Sequence, residues 1–219
     1  RSNATLRLYE AITPLIYPDN RYGIRFPIGL MSVVDSFPYH VLRDYYDKWY
    51  RTDLQGIVVV GDIDVDEIEQ KIKAIFSPIA AVEHPAERTY FPIADNQEPI
   101  IAIASDKEQT IAQTFLFLKH DNIPDEDKSS IGYYVYRYAL QMATEMLNAR
   151  LQEILEKPDA PFSYATSGED DFFIAKTKQA LMGICIGEDT KLVESITALY
   201  RELLRAIRNG FTAGEYERA

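Results

Sequence analysis

The stretch from Tyr45 to Asp64 constrains the fold of this chain more than any other part of the sequence. It begins with the aromatic segment YYDKWYR, passes through the glycine-bounded run IVVV at 57–60 and ends in the acidic segment DID. A continuous β-branched run is typical of a strand that is buried on both faces. The aromatic segment has the composition of a helix end, and the acidic segment that of a turn into a helix. This order predicts a sheet covered by helices.

Helical patterns flank the predicted strand on both sides. Ser36 is the expected N-cap of the first helix, whose apolar positions recur at helical spacing: Phe37, Val41, Leu42, Tyr45 and Trp49. Asp64 and Glu67 match a capping box for the second helix, and Pro78 is expected to end it. The segment before Ser36 is rich in proline and glycine, so we expect it to be mostly loop.

The second half of the chain predicts another sheet. Two strands are expected at 100–104 and 110–118. Later segments suggest an antiparallel meander turned at 168–171, with strands at 162–167, 172–177 and 179–187. The proline-rich stretch 77–99 between the two halves is the expected domain boundary, although 88–91 could form an edge strand.

Helices complete the second half. A long one is expected at 129–156, with its inner face formed by Ile131, Val135, Tyr138, Met142, Leu147, Leu151 and Ile154. Another begins near Leu192 and stops at Gly210, where glycine favours a helix end. Thr212 and Glu215 then form a capping box that opens a further helix.

Composition excludes several functional classes. The 219 residues carry a formal net charge of −11, which disfavours nucleic-acid or anionic-membrane binding because both need a basic surface. No apolar run approaches the about 20 residues of a membrane span. The single cysteine, Cys185, lies in an apolar run and is expected to be a core residue rather than a nucleophile.

A search for reactive constellations predicts no catalytic, cofactor-binding or metal-binding residue in this chain. His40, His84 and His120 are isolated, and neither H-E-x-x-H nor H-x-x-E-H occurs. Asp62, Asp64 and Asp66 alternate at the strand-to-helix turn, which fits a helix cap better than a cation site.

Other sequence patterns also indicate no functional site. The acidic run 121–127 lacks the central glycine and final glutamate of an EF-hand loop, and 169–171 is read as a hairpin tip. Phosphate-cradling and nucleophile-elbow motifs are absent. The 15 tyrosines cluster near 45–50 and 133–138, which suggests either a peptide-binding wall or a domain interface.

Four motifs, in order, resemble those of the M16 (insulinase/pitrilysin-like) metallopeptidases. They are RFPIG at 25–29, YYDKWYR followed by VVVGD at 45–62, NARLQE at 148–153, and GFTAGEY at 210–216. Thr52 stands where the family usually has proline, and Leu54 where it has asparagine. The resemblance covers nearly the whole chain.

The resemblance implies an α+β fold, a two-layer α/β sandwich of mixed, largely antiparallel sheets with helices packed on one face. It implies that 5–94 ends one such domain and 95–219 forms most of the next, while 1–4 look like a tag remnant. The parent protein would hydrolyse peptide bonds by zinc-activated water. The zinc ligands of the family precede the RFPIG element, so none can be assigned here, and this fragment is expected to be inactive.

The expected role is therefore non-catalytic, namely chamber wall and domain packing. The implied partners are the remaining domains of the parent chain and its peptide substrate, with no nucleic acid and no membrane span. The alternatives are a non-catalytic M16-like scaffold or processing-complex subunit, and an unrelated α/β interaction module. The compartment stays open, with a bacterial periplasmic or envelope location as one expectation for the parent.

Overall fold

A computed structural model describes residues 3–219, so that residues 1 and 2 of the predicted tag remnant lie outside the described part. The chain divides into two units: one joins the N-terminal segment up to Phe26 with Phe91–Ala219, and the other is Pro27–Tyr90. The α-helices of the described residues are α1 (Ala4–Ile16), α2 (Arg21–Ile24), α3 (Met31–Val34), α4 (Tyr39–Trp49), α5 (Val65–Phe76), α6 (Ile131–Leu155), α7 (Leu192–Asn209) and α8 (Ala213–Arg218). Short 3₁₀ turns lie at Thr52–Leu54, Asp125–Ser129 and Asp189–Lys191.

The larger unit is built on a three-stranded antiparallel sheet. Its strands are β1 (Ala112–His120), β2 (Tyr164–Phe172) and β3 (Ala175–Gly187), in the spatial order β1-β3-β2. The predicted three-strand meander is wrong, because β2 runs straight through 168–171 and the hairpin turns at Phe173, which has a φ of 56°. The residues on either side of that turn, Phe172 and Ala175, are buried. The position of the turn therefore follows the burial of these apolar residues. The polar sequence Gly-Glu-Asp-Asp at 168–171 does not form a turn.

Helices α6 and α7 cover one face of this sheet. The core between them consists of Leu147, Leu151, Phe162, Cys185, Leu199 and Leu203. Cys185 is 1% exposed, and burial raises the pKa of its thiol, which confirms it as a core residue. Sheet and helices together form the predicted α+β fold.

The predicted inner face of α6 is only half right. Leu147 and Leu151 are buried, but Ile131, Val135 and Tyr138 are 83%, 61% and 60% exposed. Periodicity alone identified an apolar stripe along the whole helix. The structure shows that only its C-terminal half lies over the sheet.

A second cluster packs on the opposite face of the sheet. Phe117 and Ala180, which belong to it, alternate along their strands with Leu116 and Leu181 of the first core. Its centre is Tyr17, which is 1% exposed and follows α1. The opening segment is thus not mostly loop, and the prediction failed because helix α1 includes a proline within it. Asn3 caps this helix by accepting a hydrogen bond from the Leu6 amide (3.2 Å).

The Tyr17 hydroxyl joins this N-terminal segment to the β2–β3 turn. It donates to the Phe172 carbonyl and accepts from the Ile174 amide at 3.0 Å, and burial raises the pKa of Tyr17 to about 12. Replacing Tyr17 by phenylalanine leaves both backbone groups without this partner, so we expect the free energy of unfolding to fall by about 1–3 kcal/mol. Urea unfolding followed by circular dichroism measures the change. Tyr9→Phe is the matched control, because the Tyr9 hydroxyl has no hydrogen-bond partner among residues 3–219, and an equal loss in that control would contradict the assignment.

The smaller unit, Pro27–Tyr90, buries none of its apolar side chains. Its residues are all described, and only Arg51 among them is buried. The run IVVV at 57–60 forms no strand, so that prediction is wrong for this structure; its four side chains are 46%, 86%, 46% and 91% exposed. A strand requires a neighbour for its amides and carbonyls, and no neighbouring strand is present within the unit.

Two other predictions for strands fail for the same reason. The segments 88–91 and 100–104 carry no ladder, and Ile101 and Ile103 are 79% and 81% exposed. Helix boundaries were predicted with mixed success. Asp64 caps α5, accepting a hydrogen bond from the Glu67 amide at 3.0 Å, as expected. Helix α4 instead begins after Pro38, because the Ser36 hydroxyl donates back to the carbonyl of Ser32.

Candidate functional site

The motifs at 148–153 and 210–216 both lie in the larger unit. Asn148, the first residue of the earlier motif, binds its helix to the sheet. This residue lies on α6 and faces β2. Its Oδ1 accepts from the Ser167 amide (2.7 Å) and hydroxyl (3.0 Å), while its Nδ2 donates to the Ser167 carbonyl (3.1 Å). The amide side chain therefore acts as an extra strand partner for an edge residue of the sheet, which ties the helix to β2.

Arg150 connects the same helix to the turn between α7 and α8. Its guanidinium bonds Glu215 (Nε to Oε1, 2.5 Å) and the Gly210 carbonyl (2.9 Å), and lies 4.5 Å from the centre of the Phe211 ring. Arg150 is 5% exposed. The hydrogen bond from Arg150 holds the pKa of Glu215 well below its usual range, and the same bond raises the pKa of Arg150.

Glu215 also forms the N-terminal cap of α8 together with Thr212. Its carboxylate accepts from the Thr212 amide (2.7 Å), and the Thr212 hydroxyl accepts from the Glu215 amide (3.3 Å). This confirms the predicted capping box at the start of α8. The motifs at 148–153 and 210–216 therefore form one ion-paired junction between helices. Each of its charged groups is engaged by a neighbour, so the junction holds structure together and offers no general base or nucleophile.

Glu169 is a buried carboxylate that sequence reasoning missed. It was predicted at a hairpin tip, but it lies within β2 with its side chain 5% exposed. The Tyr136 hydroxyl donates to it at 3.1 Å, while His120 Nε2 and Arg137 lie 3.8 Å and 3.9 Å away. Burial, followed by the charge of Glu169, raises the pKa of Tyr136. The sequence did contain one indication of this burial. Side chains two residues apart on a strand point to the same face, and Glu169 follows the inward-facing Ser167 by two residues.

The histidines do not come together in the structure. His40 is exposed on α4, His84 is exposed after α5, and His120 ends β1. Within residues 3–219, no three His, Cys, Asp or Glu side chains are placed so that they could hold one metal ion. The donor set therefore does not fit the zinc that the resemblance implies for the family.

The aromatic clusters lie at the surface of their units. Tyr45, Tyr46 and Tyr50 are 57–59% exposed, and the rings of Tyr46 and Tyr50 stack at 4.7 Å. On α6, Tyr134 and Tyr138 are 67% and 60% exposed. Both readings of the tyrosine excess, a peptide-binding wall and a domain interface, are compatible with such exposure. In the described range 3–219, no helix combines the length and the apolar character needed to cross a bilayer.

The sequence matches a family model and several curated relatives. Residues 36–219 match the model described as the peptidase M16 inactive domain. The chain is 26% identical over 215 residues to the "probable zinc protease PqqL" of Escherichia coli, covering 98% of this chain and 23% of that protein. It is 28% identical over 177 residues to the "zinc protease PQQL-like" of Arabidopsis thaliana, covering 80% of this chain and 18% of the relative.

Solved structures share the fold. The periplasmic protease PqqL from Escherichia coli superposes with a TM-score of 0.75 at 24% identity, covering 100% of this chain and 24% of that one. The ferredoxin protease FusC, solved in complex with Arabidopsis ferredoxin, gives a TM-score of 0.74 at 23% identity, covering 99% of this chain and 23% of that one. The chain thus spans less than a quarter of the length of these curated relatives.

Proposed function

Because the chain belongs to the M16 peptidase family, we propose that it is a non-catalytic portion of a zinc-dependent peptidase. In this proposal it contributes domain packing and part of the wall of a peptide-enclosing chamber. Zinc and the peptide-bond hydrolysis that it supports belong to another part of the longer protein. The partners are the remaining domains of that protein and its substrate. FusC, which shares this fold, was solved in complex with ferredoxin.

The observation that carries the proposal is the absence of a core within Pro27–Tyr90. Helices α4 and α5 carry apolar residues at helical spacing, yet Val41, Leu42, Val65 and Ile75 are between 47% and 70% exposed. The adjoining run at 57–60 has the composition of a buried strand and no strand to pair with. Apolar helix faces and β-branched strands of this kind are stable only when another layer covers them. Within the predicted domain 5–94, the part Pro27–Tyr90 would accordingly pack on a layer supplied by the longer protein.

The proposal predicts a large difference in amide protection at 57–60 between two forms of the protein. In the isolated 219-residue chain these amides should exchange at close to the rate of an unstructured peptide, because no group in residues 3–219 accepts their hydrogen bonds. In the full-length protein from the same gene they should be protected by about 100-fold or more. Hydrogen exchange with mass spectrometry measures both states. The peptide covering β3 is the internal control, and it should be protected in both forms.

Protection of 57–60 already present in the isolated chain would show that the smaller unit has its own core, and would overturn the proposal. Metal analysis provides a second readout. We expect no stoichiometric zinc in the dialysed chain by inductively coupled plasma mass spectrometry, and no turnover of a quenched fluorescent peptide. One tightly held zinc per chain, or turnover that a chelator abolishes, would contradict the assignment of catalysis to another part of the protein.

A further inference from the structure

Helix α7 has a second apolar line in addition to the one that it buries. Its core face presents Leu199 and Leu203, which are 0% and 2% exposed. On a different side of the helix, Val193, Tyr200 and Ile207 are 74%, 45% and 61% exposed. These three residues repeat every seven positions, so they lie along one line. The spacing is that of a seam for another helix.

A row of arginines runs beside this apolar line. Arg201, Arg205 and Arg208 follow one another at spacings of four and three, which places them on one face. With Thr197, Tyr200 and Leu204 they border a shallow groove of about 460 Å³. Arg205 contacts Glu202 at 3.3 Å, whereas Arg201 and Arg208 make no ion pair with any residue in 3–219.

The absence of a carboxylate partner for Arg201 and Arg208 within residues 3–219 is informative in so acidic a chain. The sequence contains 34 Asp and Glu against 23 Lys and Arg. A solvated helix surface ordinarily mixes the two signs; on α7 the acidic residues are Glu194 in the first turn and Glu202, the partner of Arg205. Arg208 lies in the last turn of α7, where a cation interacts favourably with the helix dipole, but Arg201 lies in the middle of the helix and has no such explanation. Tyrosine and arginine around an apolar line are the residues that protein interfaces enrich.

We propose that this face of α7, which joins the apolar line to the arginine-bordered groove at Tyr200, binds an acidic amphipathic helix of a separate protein. The partner helix would place apolar residues against Val193, Tyr200 and Ile207. Its carboxylates, repeating at i, i+4 and i+7, would match the row Arg201, Arg205 and Arg208, whose ends are about 10 Å apart along the helix axis. Guanidinium groups bind carboxylates in a two-pronged geometry that lysine cannot supply. The proposal is independent of the peptidase assignment.

A pair of synthetic peptides tests the charge requirement. The first is an amphipathic helix of about 18 residues with leucine along one line and glutamate at i, i+4 and i+7 beside it. The second carries glutamine in place of each glutamate. By fluorescence anisotropy with the 219-residue chain, at about 50 mM salt, we expect the glutamate peptide to bind with a Kd on the order of 10 µM. The glutamine peptide should bind at least about tenfold more weakly, because a −11 chain attracts an acidic peptide only through a local basic surface.

Substitutions locate the site. Arg201→Glu with Arg208→Glu should weaken binding of the glutamate peptide by about tenfold or more, and Tyr200→Ala should also weaken it. The matched control is Arg43→Glu with Arg88→Glu, two exposed arginines of the smaller unit, which changes the net charge equally and should leave the Kd within about twofold. Circular dichroism checks that each variant is folded. Arg201→Gln with Arg208→Gln serves as a milder pair if the charge reversal disturbs the helix.

Three outcomes would overturn the proposal. The two peptides could bind with equal affinity or not at all. The control pair could weaken binding as much as the α7 pair, which would make the effect one of net charge. Sedimentation equilibrium could reveal a dimer that Tyr200→Ala dissociates, in which case the face is occupied by a second copy of the chain. Tighter binding of the glutamate peptide that is lost only in the α7 variants would support it.

Discussion

Replacing Leu199 by alanine is expected to lower the free energy of unfolding of the larger unit by about 3–5 kcal/mol. Leu199 is 0% exposed and is the point where α7 enters the core. It lies directly over Gly183 of β3, where an added Cβ would be 3.2 Å from the Leu199 methyl groups. The strand has no side chain at that position to fill a cavity, so the removed methyl groups leave a void that cannot easily close.

Urea unfolding followed by far-ultraviolet circular dichroism measures this loss. Val193→Ala on the same helix is the control: Val193 is 74% exposed, so its loss should stay within about 0.5 kcal/mol. The slope of free energy against urea should be the same for both variants, which shows that both unfold the same surface. Equal losses at Leu199 and Val193 would contradict the placement of α7 on the sheet. The opposite change in packing is made by Gly183→Ala. The added methyl group would crowd Leu199, so this variant should also lower the free energy of unfolding.

The contrast between α7 and the run at 57–60 shows what a sequence can predict about this fold. Helix α7 was predicted because its buried positions, such as Leu199 and Leu203, recur at helical spacing within one segment. The strand at 57–60 was predicted from composition, but a strand exists only in relation to its neighbour. Composition carries no information about whether that neighbour lies in the same 219 residues. The same limit explains the unpaired segment 100–104.

The site shows a similar division between local and distant information. The capping box of Thr212 and Glu215 spans four residues and could be read directly from the sequence. That Arg150 is the further partner of Glu215 could not, because 65 positions separate them and only the fold brings them together. Glu169 was misplaced for a related reason. Its acidic neighbours indicated a turn, whereas the buried Phe172 and Ala175 determine where the chain reverses.

Arg150→Met is expected to destabilise the larger unit by about 2–3 kcal/mol. Methionine keeps much of the apolar contact with Phe211 but removes the hydrogen bonds to Glu215 and to the Gly210 carbonyl. The Glu215 carboxylate, 14% exposed, then loses its charged partner. Arg201→Met on α7 is the matched control. The Arg201 side chain is exposed and makes no ion pair with any residue in 3–219, so its loss should stay within about 0.5 kcal/mol.

The pH dependence identifies the interaction responsible for that loss. The pKa of Glu215 is lowered in the folded protein, so its pairing stabilises the fold fully above the ordinary glutamate pKa of 4.5. That stabilisation is lost progressively as the pH falls below 4.5, because the carboxylate of the unfolded chain then binds a proton while the folded one, with its lowered pKa, stays charged until the pH is lower still. Unfolding of wild type and Arg150→Met should therefore differ most at neutral pH and converge in acid. A difference that stays constant from neutral pH to strong acid would mean that Arg150 acts through packing alone. Convergence would identify the ion pair as the link between the two helix motifs.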